Sequence, residues 1–275
     1  MTTLTDKAAL FRSLHAGGTV LALPNAWDVA SAKLIEDAGA RAIATTSAGV
    51  AWSLGAADGD ELDRDRALDL ISRLAGAVAV PVTADIESGF AATAEGVAET
   101  VRGVIAAGAV GINLEDAHHR GAQPLRSVAE QCERIAAARQ AADATKIPLF
   151  INARVDTYIR AVGDPLTRLQ DTLDRAAAYV VAGADGIFVP GVVDPALVED
   201  LVKGLAVPLN VLAGPGAPSI AEFGALGVAR VSLGSSIAQA AYGVARSAAL
   251  ELFTAGTYTA LERELGYQEI NSLLT

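Results

Sequence analysis

Val80-Pro81-Val82-Thr83-Ala84-Asp85-Ile86-Glu87-Ser88-Gly89-Phe90 opens as an almost unbroken apolar run and closes on acids. Such a run fits a strand buried on both faces, as in a parallel sheet. Asp85 and Glu87 are two residues apart, so on an extended chain they point to the same side. Ser88-Gly89 then breaks the strand. Two carboxylates at the end of a buried strand are costly unless a cation or a partner neutralises them. Capping or turn acids are the plainer reading. It loses ground because Glu115-Asp116 closes the next apolar run, and Asn152 and Arg154 close the one after it. Three successive strands ending in polar groups point to a site at one face.

Outward from this stretch the same unit repeats. Strands are expected at residues 19–23, 41–45, 80–86, 110–114, 147–151, 185–189, 208–212 and 228–232. Helices are expected between them: residues 27–38, 61–79, 93–107, 127–142 and 165–182, a short one after Pro195, 218–226, and 235–253. A leading helix covers 4–15 and a helical tail 257–274. Apolar spacing supports the helices, as in Ala67, Leu70, Ile71, Leu74 and Val78, and glycines 39, 108 and 183 stop three of them. Eight strand–helix units in strict alternation predict a single α/β domain, a (β/α)8 TIM barrel spanning the chain. Its active-site loops belong at the carboxyl ends of the strands. The Ala-Gly-Ala triplets at 38–40, 107–109 and 182–184 fall at the opposite, stabilising face. A doubly wound open sheet is the alternative, but no Gly-x-Gly-x-x-Gly follows the first strand.

Composition agrees with packed helices over a parallel sheet: 52% hydrophobic and only 5% aromatic residues, so the core is built from Ala, Val, Leu and Ile. A net charge of −11 repels nucleic acid and anionic membranes. One cysteine excludes an intramolecular disulfide framework and suits a reducing compartment. No basic-then-apolar start and no run of membrane-spanning length is present. The expectation is a soluble cytoplasmic protein with neither nucleic-acid nor membrane partners.

The strand ends collect Asn25; Thr46, Ser47 and Ala48; Asp85 and Glu87; Glu115 and Asp116; Asn152, Arg154 and Asp156; Asn210; and Ser232, Ser235 and Ser236. Oxygen donors with one arginine fit a magnesium ion that keeps several waters, with the arginine left to hold substrate charge. No His-rich or Cys-rich cluster suits zinc. His118 and His119 are adjacent in a loop containing Gly and Pro, so their rings point different ways. Loop surface, or a general acid/base on a lid, is favoured over metal ligation. Cys132 shares a helix stripe with Val128, Ile135 and Ala142 and is expected to pack in the core. Asp28 reads as a helix cap as easily as a site residue. Ala213-Gly214-Pro215-Gly216 and Gly234-Ser235-Ser236 resemble a phosphate cradle, which supports a competing phosphosugar isomerase or synthase reading. That reading leaves the acids at 85–87 and 115–116 without a purpose.

At these residues the chain resembles the isocitrate lyase/phosphoenolpyruvate mutase superfamily. The resemblance rests on Thr46-Ser47-Ala48-Gly49-Val50-Ala51, Ser53-Leu54-Gly55 leading to Asp58, Ala84-Asp85-Ile86-Glu87-Ser88-Gly89-Phe90, Asn113-Leu114-Glu115-Asp116 and Ile151-Asn152-Ala153-Arg154-Val155-Asp156, in that order. It implies Mg2+ (or Mn2+) near Asp85, with Glu87 and Glu115 linked through water and Asp58 close by. It implies that Thr46, Ser47 and Ala48 bind the carboxylate of a 2-oxo acid and that Arg154 holds the same charge. It also implies a barrel that exchanges its last helix between subunits of a homodimer or homotetramer. Asn210 is added as a substrate contact, and Glu115 and His119 as catalytic groups beside Arg154 and Asp58. The implied chemistry breaks or forms a C–C or P–C bond of a small 2-oxo carboxylate through an enolpyruvate-like intermediate.

Two departures refine this expectation. The lyase branch carries Lys-Lys/Arg-Cys-Gly-His after the Glu-Asp pair, where this chain reads Ala117-His118-His119-Arg120-Gly121-Ala122-Gln123-Pro124. The mutase branch carries a His at the end of strand six, where this chain has Pro190-Gly191. The chain is thus most similar to the mutase-like branch, often labelled carboxyphosphonoenolpyruvate phosphonomutase-like. An oxaloacetate-type decarboxylase or hydrolase is the alternative, and a barrel binding metal and dicarboxylate without turnover is a third reading.

Overall fold

A computed structural model describes residues 2–16, 18–262 and 265–275. In chain order the elements are α1 (Leu4–Leu14), β1 (Leu21–Leu23), β2 (Asn25–Ala26), α2 (Val29–Asp37), β3 (Ile43–Thr45), α3 (Ser47–Ser53) and α4 (Arg64–Ala77). Then come β4 (Val82–Asp85), α5 (Ala94–Ala106), β5 (Gly111–Glu115), α6 (Val128–Thr145), β6 (Phe150–Arg154), α7 (Arg168–Val181) and β7 (Gly186–Val189). The chain ends with α8 (Pro195–Gly204), β8 (Leu209–Leu212), α9 (Ile220–Ala225), β9 (Arg230–Ser232), α10 (Ser236–Thr254), a 3-10 turn at Thr259–Leu261 and α11 (Tyr267–Leu274).

All strand pairs are parallel, in the order β1-β9-β8-β7-β6-β5-β4-β3-β2. Pro24 interrupts the first strand, since it has no N–H for the ladder. The half before it, β1, pairs with β9, and the half after it, β2, pairs with β3. The two halves together close the sheet into the eight-stranded barrel that the alternation predicts. Asn25 locks this seam from both sides: Nδ2 donates to the Thr45 carbonyl at 2.9 Å and Oδ1 accepts from the Leu233 N–H at 3.0 Å.

Helix starts follow the capping residues. Thr3 and Asp6 form a reciprocal capping box at α1. Asp28 caps α2, accepting from the Ser31 N–H at 2.7 Å. Several boundaries differ from those read from the sequence. Pro165 lies a turn ahead of α7, because Thr167 is the cap. The β6 ladder runs on to Arg154, held in register by Glu115 on β5. Residues 47–53, given no element in the sequence reading, form α3.

Leu74, Val101, Ile135, Tyr179 and Leu201 are buried between helices and sheet, in one apolar cluster with Val82, Ile112, Ile151, Ile187 and Val211 of the strands. A second cluster plugs the amino-terminal mouth of the barrel. Phe11 and Leu14 of α1 meet Leu21, Leu23, Ala42, Ala44 and Phe150 there. A Cβ on Gly111 would meet the Phe11 ring and the Thr83 hydroxyl at 2.7 Å each, so only glycine admits this plug. Above the plug the barrel interior is polar. Asn152 Nδ2 donates to Asn113 Oδ1 (2.9 Å) and Asn210 Oδ1 (3.0 Å), and Asn210 Nδ2 donates to Ser232 Oγ (3.1 Å). No helix among the described residues is long and apolar enough to cross a membrane.

Candidate active site

The site is built where β4, β5 and β6 end. Asp85 is the last residue of β4, and its own N–H donates to the Thr45 hydroxyl at 2.8 Å. Its Oδ2 accepts from the Ser47 N–H at 3.4 Å, and its Oδ1 from the Glu87 N–H at 3.3 Å. Ser47 opens α3, whose first N–H groups have no partner within the helix. Burial pushes the Asp85 carboxyl up to about 6; Arg154 opposes this, and the charges of Glu115 and Asp58 reinforce it. This carboxylate is therefore weakly compensated by the protein alone.

Glu87 does not share the direction of Asp85. The strand stops at Asp85, and Glu87 takes a left-handed backbone with φ 51°. Its Oε2 turns to the loop before α4, accepting from the N–H groups of Gly59 (2.8 Å) and Asp60. Oε1 has no partner among the described residues. Burial pushes this carboxyl up to about 8, helped by Asp58, Asp60 and Asp85. The period-two expectation failed because it assumed an extended chain through residue 87.

Glu115 ends β5 and is gripped from two sides. Its Oε2 lies 2.7 Å from Arg154 Nη1, and its Oε1 lies 2.5 Å from His119 Nε2. Arg160 Nη2 donates to His119 Nδ1 at 3.0 Å, so the imidazole carries its proton on Nε2, towards Glu115. Burial opposes the Glu115 charge, but Arg154 and His119 outweigh it and hold the carboxyl below its usual range. The hydrogen bond to Glu115 in turn raises His119. Arg154 gives its remaining edge to Asp156, through Nε (2.6 Å) and Nη2 (2.9 Å).

Asp116, the residue just after the end of β5, faces the other way. It accepts from Tyr179 Oη at 2.8 Å, Arg175 Nη1 at 3.1 Å and the Asp156 N–H at 2.9 Å, all outside the barrel mouth. Asp58 is exposed at the rim. Thr46 caps α3 through its backbone only, and Ser47 and Ala48 are buried beside Asp85. Asn210 is 1% exposed and spends its amide on the interior network, so it is not presented to the mouth. The 213–216 loop is an ordinary turn closed by Ala217 N–H to the Gly214 carbonyl, at 3.0 Å. His118 and His119 diverge as expected: His119 reaches Glu115, while the His118 ring lies over Gly121. Sequence reasoning passed over Thr45, whose hydroxyl fixes the Asp85 backbone, and Arg160, which sits four residues after Asp156.

Among the described residues no three of the His, Cys, Asp and Glu side chains form a ready metal-ligating group. Glu87 and Glu115 are turned to protein donors, which leaves Asp85 as the carboxylate with only long bonds. One direct carboxylate with waters for the rest is a donor set that suits magnesium. The unpartnered Oε1 of Glu87 is a further acceptor for such a water.

The phosphoenolpyruvate phosphomutase family model matches residues 11–253. The chain belongs to this family. The oxaloacetate decarboxylase 2 of Pseudomonas fluorescens is 31% identical over 232 residues, covering 83% of this chain and 77% of the decarboxylase. Among solved structures, a Burkholderia cenocepacia J2315 protein provisionally assigned as a lyase/mutase superposes with a TM-score of 0.91 at 40% identity, over 98% of this chain and 95% of that one. A phosphonopyruvate hydrolase solved in complex with oxalate and Mg2+ superposes with a TM-score of 0.85 at 28% identity, over 97% and 94% of the two chains. The superfamily kinship expected from the strand-end motifs therefore holds, as does the barrel.

Proposed function

We propose that the protein is a Mg2+-dependent enzyme, with Mn2+ able to substitute, that cleaves or forms a C–C or P–C bond of a small 2-oxo carboxylate. The observation that carries this reading is the weakly compensated Asp85 carboxylate at the barrel mouth, beside the Ser47 N–H and the Glu115–Arg154 pair. Asp85 would hold the metal, with Glu87 and Glu115 as acceptors for its waters. The metal, when bound, supplies positive charge that stabilises an enolate as it forms on the 2-oxo oxygen.

The chain's own groups divide the remaining work. Thr46, Ser47 and Ala48 receive the substrate carboxylate at the start of α3. Arg154 faces the same anion and stabilises charge as the bond breaks. His119 holds a proton on Nε2 against Glu115, and this positions it as the general acid. Asp58 closes the rim. The 117–124 loop without cysteine favours C–C cleavage of the oxaloacetate type within this reading.

The working form is a cytoplasmic homodimer or homotetramer. Only Ala238 of the 19 residues of α10 is buried, and Val244, Leu250 and Phe253 are exposed, as expected of a helix exchanged with a second copy. Light scattering on the purified protein tests this.

Calorimetry with Mg2+ and oxalate tests the site. Asp85→Ala is expected to abolish joint binding while the fold survives. Unchanged affinity removes the metal assignment.

A further inference from the structure

We infer that Tyr179, on the outer side of the sheet, is a positioning residue for Arg154, acting through Asp116 and Asp156. This rests on the reading above, which makes Arg154 the holder of the substrate anion. Successive residues of an extended chain point to opposite faces. Glu115 therefore faces the mouth, where it meets Arg154, and Asp116 faces helix α7. The Asp116 carboxylate is fully buried there.

Asp116 brackets the turn that follows Arg154. Its N–H donates to the Arg154 carbonyl at 3.2 Å. Its Oδ1 accepts from the Asp156 N–H at 2.9 Å. That N–H lies beyond the end of β6, so the carboxylate stands in for the ladder partner it lacks. The main chain is thus held on both sides of Val155. The Asp156 side chain faces back to Arg154, and its two bonds set the plane of the guanidinium. With that plane fixed, Nη1 is aimed at Glu115. The same Asp156 carboxylate takes Arg160 Nε at 3.4 Å, and Arg160 continues to His119.

Asp116 Oδ2 is held in turn from α7. Tyr179, itself without exposed surface, donates its hydroxyl at 2.8 Å. Arg175, one turn earlier, offers Nη1 to the same oxygen (3.1 Å), to Tyr179 Oη (3.0 Å) and to the Arg126 carbonyl (3.1 Å). That nitrogen has two hydrogens for three acceptors, so the phenol supplies the undivided bond. Without it Asp116 turns towards Arg175, and the Asp156 N–H loses its acceptor. A misplacement of about 1 Å at a group that positions substrate is enough to cost about 10²-fold in rate. A tie that only fastens α7 to the sheet would cost stability alone.

Tyr179→Phe tests this on the intact protein, with Val198→Ala as the matched loss of packing. Val198 is a buried apolar residue of α8, outside the chain of bonds. Hydrogen exchange at the Arg154 Nε–H, read by NMR and assigned by its loss in Arg154→Lys, needs no ligand. Calorimetry with Mg2+ and oxalate reads the anion site. Tyr179→Phe is expected to speed the exchange and to weaken oxalate, each by about tenfold, while Val198→Ala changes neither. Wild-type exchange or wild-type affinity in Tyr179→Phe overturns the inference, and so does a Val198→Ala that matches its losses. Failure of oxalate to bind wild type instead overturns the metal-site reading, and exchange at Arg154 then decides the positioning by itself.

Discussion

Arg154 and Asp156 are joined by two parallel bonds, Nε–Oδ1 at 2.6 Å and Nη2–Oδ2 at 2.9 Å, with the Asp156 carboxylate fully buried. The third arm of the same guanidinium serves Glu115 at 2.7 Å. Burial opposes the Arg154 charge, but Glu115, Asp156 and Asp85 hold its pKa above the ordinary arginine range. The residue offered as the anion holder is therefore also the clamp that binds β5 to the loop after β6. A lysine cannot serve both carboxylates, because one ammonium has no fork. Arg154→Lys is expected to lower both the melting temperature and the rate of the folded fraction. Arg154→Ala is expected to cost about 3–5 kcal/mol, as when one partner of a buried pair is removed. Melting temperatures unchanged from wild type would sink the clamp. Melting loss with full rate in the folded enzyme would sink the catalytic role.

His15 makes the fold pH-sensitive from the other end of the barrel. Its ring stacks on Phe150 at 3.9 Å, and Nδ1 donates to the Phe11 carbonyl at 2.9 Å. Burial, then the Arg230 charge, push the imidazole down to about 4 from 6.5. Between those values the unfolded chain binds more protons, so stability rises with pH there. The contribution is complete above about pH 6.5 and is lost as the pH falls towards 4. Roughly 2 kcal/mol should be gone by pH 5. Urea unfolding of wild type and His15→Phe at pH 7 and pH 5 measures it. Equal losses in the two proteins would rule His15 out.

Cys132 is half-buried on α6 and packs at the edge of the core, with burial raising its thiol. A nucleophile needs the opposite shift. Cys132→Ser is expected to keep its rate and to lose at most about 1 kcal/mol of stability. A rate loss of orders of magnitude in a folded variant would show that the thiol is chemical.

Asp28 accepts from the Ser31 N–H, and the Ser31 hydroxyl accepts in return from the N–H groups of Trp27 and Asp28 at 3.0 and 3.1 Å. Asp28→Ala should cost about 1 kcal/mol, the usual worth of a cap. Chemical denaturation gives the stability and steady-state assays the rate. Lost rate at unchanged stability would return Asp28 to the site.

The barrel was legible because a buried parallel strand and an amphipathic helix carry different apolar periods, and here they alternate eight times. The acids of the site were legible as unusual residues at strand ends. Their directions were not. Asp85 and Glu87 are two apart, yet a left-handed backbone at Glu87 separates them. Asn210 sits at a strand end like the others, but it bonds inward to Asn152 and Ser232. The α3 helix was hidden because Ser47-Ala48-Gly49 has the composition of a loop. The reach of Arg134 to the carbonyls at residues 88–92 leaves no trace in local sequence.

The seam at Pro24 sets an order of events for a chain leaving the ribosome. β1 can only be completed by β9, so Leu21 must wait for Arg230, Ala22 for Val231 and Leu23 for Ser232. Until then the growing sheet offers two raw borders, one at β2 and one at its newest strand, each able to accept a stray strand. Joining segments so distant along the chain is the slow step that non-local pairing imposes. The bond from Leu233 to Asn25 forms one residue past that moment, and it works as the latch of a ring that cannot close before β9 has been made.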